Sequence, residues 1–307
     1  MVSIPLRTRF RGITVRETVL VEGDAGWGEF GPFVEYGVAE ARAWWAAARE
    51  AADLGFPSPV RDRVPVNVTV PAVDAATAAA IVSRSGCTTA KVKVAEAGQD
   101  EGDDLARLEA VRAALGPAGR VRIDVNAGWD VDTALDRLPR YDRAAGGLEY
   151  VEQPCPSVDD LAAVRRRGTV PVAADESIRR SDDPLQVVRA EAADVVVLKV
   201  APLGGVRRCL ELAEQVGRPV VVSSAIDTSV GIAAGVALAA ALPDLPYACG
   251  LGTIALLTDD VCNDPLLPVD GHLPVRTVAP VSDALTRLAA PPERVAWWEQ
   301  RMAAVAA

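Results

Sequence analysis

The chain has 307 residues, half of them hydrophobic, and a formal net charge of −10. So much apolar material supports a substantial buried core. The acidic balance, with no Lys/Arg-rich run, argues against nucleic acid or an anionic membrane as a partner. The opening segment MVSIPLRTRFRGI has no apolar core of leader-peptide length, and no later run stays apolar for the ~20 residues that cross a bilayer, so a cytoplasmic protein is expected. Five cysteines (Cys87, Cys155, Cys209, Cys249, Cys262) occur singly without a C-x-x-C pair, which indicates neither a zinc site nor a disulfide framework. They are expected to be reduced and mostly buried. The single histidine, His272, lies in the turn-like VDGHLPV, and its solitude excludes any mechanism that needs two histidines.

Within residues 1–62, ITVRETVLVEGDAGWGEFGP reads as alternating strands about a Gly-Asp turn and is followed by the helical VAEARAWWAAAREAADLG. A small α+β domain is expected there. From residue 63 to about 263 short apolar runs alternate with helical stretches, the mark of consecutive βα units. The expected strands cover residues 64–70, 90–95, 120–126, 148–153, 171–176, 194–200, 218–224 and 246–251. Between them lie segments such as DDLARLEAVRAALG, where Leu105, Leu108, Val111 and Leu115 recur at helical spacing and Gly116-Pro117 provides a stop. Eight such units predict an α/β fold of the (β/α)8 barrel type. An open doubly wound sheet is the alternative, but no G-x-G-x-x-G follows the first strand. The proline-rich tail, residues 264–307, ends in the helical PERVAWWEQRMAAVA and is expected to return beside the N-terminal domain.

In such a barrel, functional residues gather where strands end at the C-terminal rim. Five successive strands carry, near their ends, Lys93, Asp124, Glu152, Asp175 and Lys199, spaced 31, 28, 23 and 24 residues apart. Three carboxylates desolvated together would take up protons unless a cation neutralised them. With oxygen donors only, that cation is expected to be Mg²⁺, or Mn²⁺ as a substitute. A divalent ion there would polarise a bound carboxylate and stabilise an enediolate, which calls for a base. Lysine serves when nearby charge and desolvation lower its pKa. In AKVKVA, Lys91 and Lys93 face the same side of a strand, so Lys93 is expected as the base with Lys91 one pleat deeper as the neighbouring charge. Lys199 would approach from the opposite side. Asn126, Glu176, Ser223 and Ser224 are further candidates for supporting the ligands or touching substrate. Barrel-rim charges forming only structural salt bridges would be the non-enzymatic alternative.

These motifs, KVK at 91–93, DVN at 124–126, VEQP at 151–154, ADES at 174–177 and LKVAPLGG at 198–205, resemble the muconate-lactonizing-enzyme-like subgroup of the enolase superfamily. The resemblance covers most of the chain and implies Asp124, Glu152 and Asp175 as metal ligands, Lys93 and Lys199 as the catalytic pair, and a small-molecule carboxylate as substrate. It also implies that GWGEFGP is a capping-domain loop closing over that substrate. The superfamily's use of a Lys or His base with Mg²⁺ is a known pattern, and one lone histidine fits the lysine/lysine branch. Within the branch, the short chain, the absence of Asp-x-Asp in YACGLGT and the segment SSAIDTSVGIAAG point to a dehydratase by syn elimination. An N-acylamino acid racemase, or another epimerase or cycloisomerase of the same branch, is the alternative.

Overall fold

The computed structural model describes residues 1–181 and 183–307. Strands β1 (Val2–Phe10), β2 (Ile13–Gly23) and β3 (Gly26–Phe30) form an antiparallel sheet in that order. Arg11 and Gly12, both with left-handed φ (50° and 77°), make the two-residue turn between β1 and β2. Such a turn matches the twist of the strands that it joins. The helix Val38–Leu54 packs across this sheet, with Ala41, Trp44, Ala48 and Ala52 on its buried face. GWGEFGP is therefore not a loop: its first five residues are β3.

Strand β4 (Arg63–Pro65) pairs antiparallel with β12 (His272–Pro274). The parallel sheet then runs β5 (Val68–Val70), β6 (Thr89–Lys93), β7 (Arg120–Asp124), β8 (Leu148–Glu152), β9 (Val172–Ala174), β10 (Val195–Lys199) and β11 (Val220–Ser223), each beside the next. The run expected over 64–70 is thus two strands. At Val66 the chain changes partners, its amide donating to Gly271 O at 2.8 Å. The expected eighth strand is reduced to two bridged residues. Cys249 bridges Val66 and Gly250 bridges Ser223, both in the parallel sense, so this short piece joins the first strand to the seventh and completes the ring. Space explains its brevity and composition: a Cβ on Gly250 would stand 2.5 Å from Ser223 Oγ.

The connecting helices follow local signals. Asp100 and Asp103 form a capping box at the start of Glu101–Leu115, and Gly116 with φ 73° ends it. Leu108 and Val111 are its buried apolar contacts, whereas Leu105 and Leu115 are half-buried. The helix Ser229–Ala241 lacks an apolar stripe because nearly all of its length is enclosed. The C-terminal helix Pro292–Ala306 lies against Val38–Leu54. There Trp298 donates to Glu17 Oε2 at 3.0 Å and stacks edge-on against Phe30. Four cysteines are buried and Cys262 is half-buried, all as free thiols. His272 starts β12 with its Nδ1 2.8 Å from Asp270 O. Among the described residues no helix is long and apolar enough to cross a membrane.

Candidate active site

Parallel register sets the centre of the rim. Lys93 stands abreast of Asp124, and Asp124 abreast of Glu152, on three adjacent strands. Lys93 Nζ donates to Asp124 Oδ2 at 2.6 Å and to Asn126 Oδ1 at 2.5 Å. One pleat deeper, Lys91 Nζ donates to both oxygens of Glu152, at 2.9 and 3.0 Å, and lies 3.2 Å from Asp124 Oδ2. Three strand positions beyond Asp124 around the ring, Lys199 Nζ donates to Asp175 Oδ2 at 2.6 Å. In the eight-position ring β6 and β10 face each other, so Lys93 and Lys199 approach the centre from opposite sides.

All three carboxylates are almost fully buried. Burial raises the Asp124 carboxyl, but Lys93 and Lys91 outweigh it and hold the group well below the usual carboxylate range. Glu152 goes the other way. Burial, reinforced by the charge of Asp124, pushes it up to about 7 despite Lys91. Lys91 itself is lowered by burial but raised more by Glu152 and Asp124, so a fixed positive charge sits beside Lys93. Asp175 is held at about 2, burial being overcome by Arg179 and then Lys199.

Of the further candidates, Asn126 donates to Glu176 Oε1 at 3.2 Å, and Glu176 in turn accepts from Arg179 at 2.6 Å. Ser223 and Ser224 line the same cavity as the lysines, with their hydroxyls turned toward Gly250 O. Every sequence-derived candidate therefore lies on this one rim. Several further neighbours were not among the sequence-derived candidates. Arg179 Nε bonds Asp175 Oδ1 at 3.0 Å. Gln153 Oε1 accepts from the amides of Asp175 and Ser177. Its place directly after Glu152, and the i+4 spacing of Arg179 from Asp175, could have pointed to both. Phe10, Phe33 and Trp44, by contrast, come from the N-terminal sheet and helix. They roof a cavity over the rim, and Lys93 Nζ lies 5.2 Å from the Phe10 ring centroid.

Rim backbone is strained in a regular way. Ala95, Asn126, Gln153 and Ile226, each one to three residues past a strand end, all have positive φ. Such conformations cluster where surrounding structure fixes side chains for function.

Among the described residues no group of three or more acidic, histidine or cysteine side chains converges on one point, because each carboxylate is turned to a lysine or arginine. The donor set still suits a hard divalent ion. It is all oxygen and buried, and it comes from neighbouring strands. Burial, and after it repulsion from Asp124, raises Glu152.

Two family models match the chain: "Enolase C-terminal domain-like" over residues 73–280 and "Enolase N-terminal domain-like" over residues 1–52. The chain belongs to the enolase superfamily. Within it, the chain is 67% identical over 305 residues to the o-succinylbenzoate synthase of Thermobifida fusca, covering 99% of this chain and 95% of that protein. The o-succinylbenzoate synthase of Mycolicibacterium smegmatis is 55% identical over 305 residues, covering 99% and 94%. Among solved structures, the muconate lactonizing enzyme of Pseudomonas fluorescens complexed with muconolactone superposes with a TM-score of 0.79 at 24% identity, covering 94% of this chain and 96% of that one. The dipeptide epimerase of Enterococcus faecalis complexed with Mg and a dipeptide gives a TM-score of 0.75 at 23% identity, covering 91% and 96%. These two establish the fold.

Proposed function

We infer that the protein is an o-succinylbenzoate synthase, a carbon-oxygen lyase that dehydrates 2-succinyl-6-hydroxy-2,4-cyclohexadiene-1-carboxylate in menaquinone biosynthesis. Near-full-length identity of 67% to a protein of that name supports the reaction. The observation that carries the mechanism is the pair of lysines facing each other across three buried carboxylates.

In this reading Asp124, Glu152 and Asp175 hold Mg²⁺, with Mn²⁺ as a substitute. When bound, the cation supplies Lewis-acid charge that favours negative charge on the substrate carboxylate. Lys93 Nζ takes the proton α to that carboxylate and, as its conjugate acid, gives a proton to the departing hydroxyl on the same face. Water leaves and the ring becomes aromatic, so protons and electrons balance without a redox partner. Lys199, opposite, remains an ammonium facing the charge that develops on the carboxylate. Lys91 and Asn126 hold the ligands and the base in place, Glu176 ties Asn126 to Arg179, and Ser223 and Ser224 form part of the substrate wall. The roof comes from a cap of residues 1–62 with the tail 264–307 beside it, and the rim from a barrel of residues 63–263. A small anionic substrate in the cytoplasm, with neither nucleic acid nor membrane as partner, completes the reading.

The test is loss of the substrate's ultraviolet absorbance on adding the purified protein with Mg²⁺ and then with excess chelator. Fast, chelator-sensitive loss is expected. No loss in protein that binds Mg²⁺ would overturn the assignment and favour the N-acylamino acid racemase.

A further inference from the structure

Of the eight non-glycine residues with left-handed backbone among those described, Ile226 alone is β-branched. At φ 62° its branched Cβ crowds the following carbonyl, a conformation that such residues hold only when their surroundings impose it. Ile226 lies in the loop after β11, and residues 224–226 of this loop line the cavity that contains Lys93 and Lys199.

What imposes the conformation comes from the N-terminal sheet. Arg16 on β2 is buried, and its Nε donates to Ile226 O at 2.9 Å while its Nη2 donates to Gly31 O at 2.5 Å. The guanidinium therefore straps the loop to the residue that follows β3. It lies 3.7 Å from Asp227 Oδ1 and over the Phe33 ring, which roofs the same cavity. Asp227 accepts from Ala225 N at 2.9 Å, locking the residue before Ile226. On the other side of the loop Glu29 accepts from Thr228 N, Thr228 Oγ1 and Gly231 N, fixing the start of the helix Ser229–Ala241. None of these contacts reaches Asp124, Glu152 or Asp175, so the reacting centre does not explain them.

We propose that Arg16 is a positioning residue of the reaction: by holding the Ile226 carbonyl it keeps residues 224–228 in their strained form and so sets the wall against which the non-reacting part of the carboxylate substrate packs. This deepens the reading of the cavity given above and rests on it. Binding of the substrate body, rather than proton transfer, is then what Arg16 controls. Loss of Arg16 frees residue 226 to return to negative φ, and the wall moves. A glycine at 226, which adopts positive φ without help, would not need the strap.

The experiment uses the full chain with Mg²⁺ and compares wild type, Arg16→Lys, Ile226→Gly and the double variant. Arg16→Lys keeps the charge opposite Asp227 and Glu29, which guards the fold, but lacks the fork that reaches two carbonyls. Its KM is expected to rise about tenfold with kcat changed less than about threefold. Adding Ile226→Gly to Arg16→Lys is expected to bring KM back toward that of Ile226→Gly alone. A wild-type KM in Arg16→Lys, or no recovery in the double variant, would overturn the proposal. Independently, Ile226→Gly should melt above Ile226→Ala, since both lose the side chain but only glycine relieves the backbone. The reverse order would remove the strain on which the idea stands. Wild-type turnover decides the function itself, so failure of that reading and failure of this proposal are told apart.

Discussion

The Tyr36 hydroxyl accepts a hydrogen bond from Arg179 Nη1 at 2.7 Å, across the seam between the N-terminal sheet and helix and the barrel rim. The same oxygen accepts from Arg11 Nη2 at 3.0 Å. Arg179 spends its other donors on Asp175 and Glu176, so one guanidinium links the cap to a proposed ligand. Outer partners of this kind orient ligands, and losing one weakens metal binding by roughly ten- to a hundredfold. Tyr36→Phe should therefore raise the Mg²⁺ dissociation constant by about tenfold with little change in Tm, as read by titration calorimetry. Unchanged affinity would mean that Arg179 holds Asp175 without help from the cap.

The two lysines should separate by role. Lys93→Ala is expected to lower kcat by at least about a thousandfold, within the range that a positioned base contributes, while Mg²⁺ still binds. Lys199→Arg keeps a cation opposite the developing charge and should retain measurable dehydration. A racemase would lose turnover in both variants, so single-turnover kinetics on the pair discriminates the two chemistries.

Stability should depend on pH through Glu29. Burial, then the charge of Asp227, pushes its carboxyl up from the ordinary value to about 7, against the pull of Arg16. The folded value lies above the unfolded one, so in this window the native state holds a proton that the unfolded chain has released. The resulting stabilisation is complete at low pH and is lost as pH rises through about 7. Asp227 is also raised, by burial first, and adds in the same direction. Glu29→Gln mimics the protonated form. Its Tm should fall by several degrees less than wild type between about pH 5 and about pH 8, since roughly 1 kcal/mol moves Tm by only a few degrees in a chain of this size.

Removing the metal should cost both activity and stability. Excess chelator is expected to abolish turnover and lower Tm, and Mg²⁺ to restore both, because a ligand that binds only the native state stabilises it by mass action. Asp175→Asn should eliminate the Mg²⁺-dependent rise in Tm. It should also lower Tm without metal, because Arg179 and Lys199 lose their buried counter-charge. A persisting Mg²⁺ shift in that variant would remove Asp175 from the ligand set.

The rim was legible in the sequence because each of its residues ends a strand, or in the case of Asp175 directly follows one, whose apolar run is itself legible, and parallel register does the rest. Lys93, Asp124 and Glu152 come abreast with no further information. What the sequence hid depends on contacts between remote segments. Nothing in the order of residues says that Arg16 meets Ile226, 210 positions away, or that Phe10 will lie over Lys93. The eighth strand was misjudged because period and composition reveal an extended run but not how many of its residues find partners. In YACGLG only Cys249 and Gly250 do. In GWGEFGP the alternating-strand reading holds and the loop implied by the family resemblance does not, and Gly28 is needed where β3 presses on the helix Val38–Leu54: a Cβ there would stand 2.7 Å from the Ala48 carbonyl carbon.

The N-terminal sheet that helps to roof the cavity is itself held by the C-terminal tail. Val2 bridges Ala289, Ser3 N donates to Leu288 O at 2.9 Å, and Glu17 is held by Arg294 and Trp298. During synthesis, then, the strands that carry Phe10 and Arg16 emerge first and wait for partners made last, after every barrel strand has left the ribosome. The rim lysines and carboxylates can be in place well before the cavity above them is roofed.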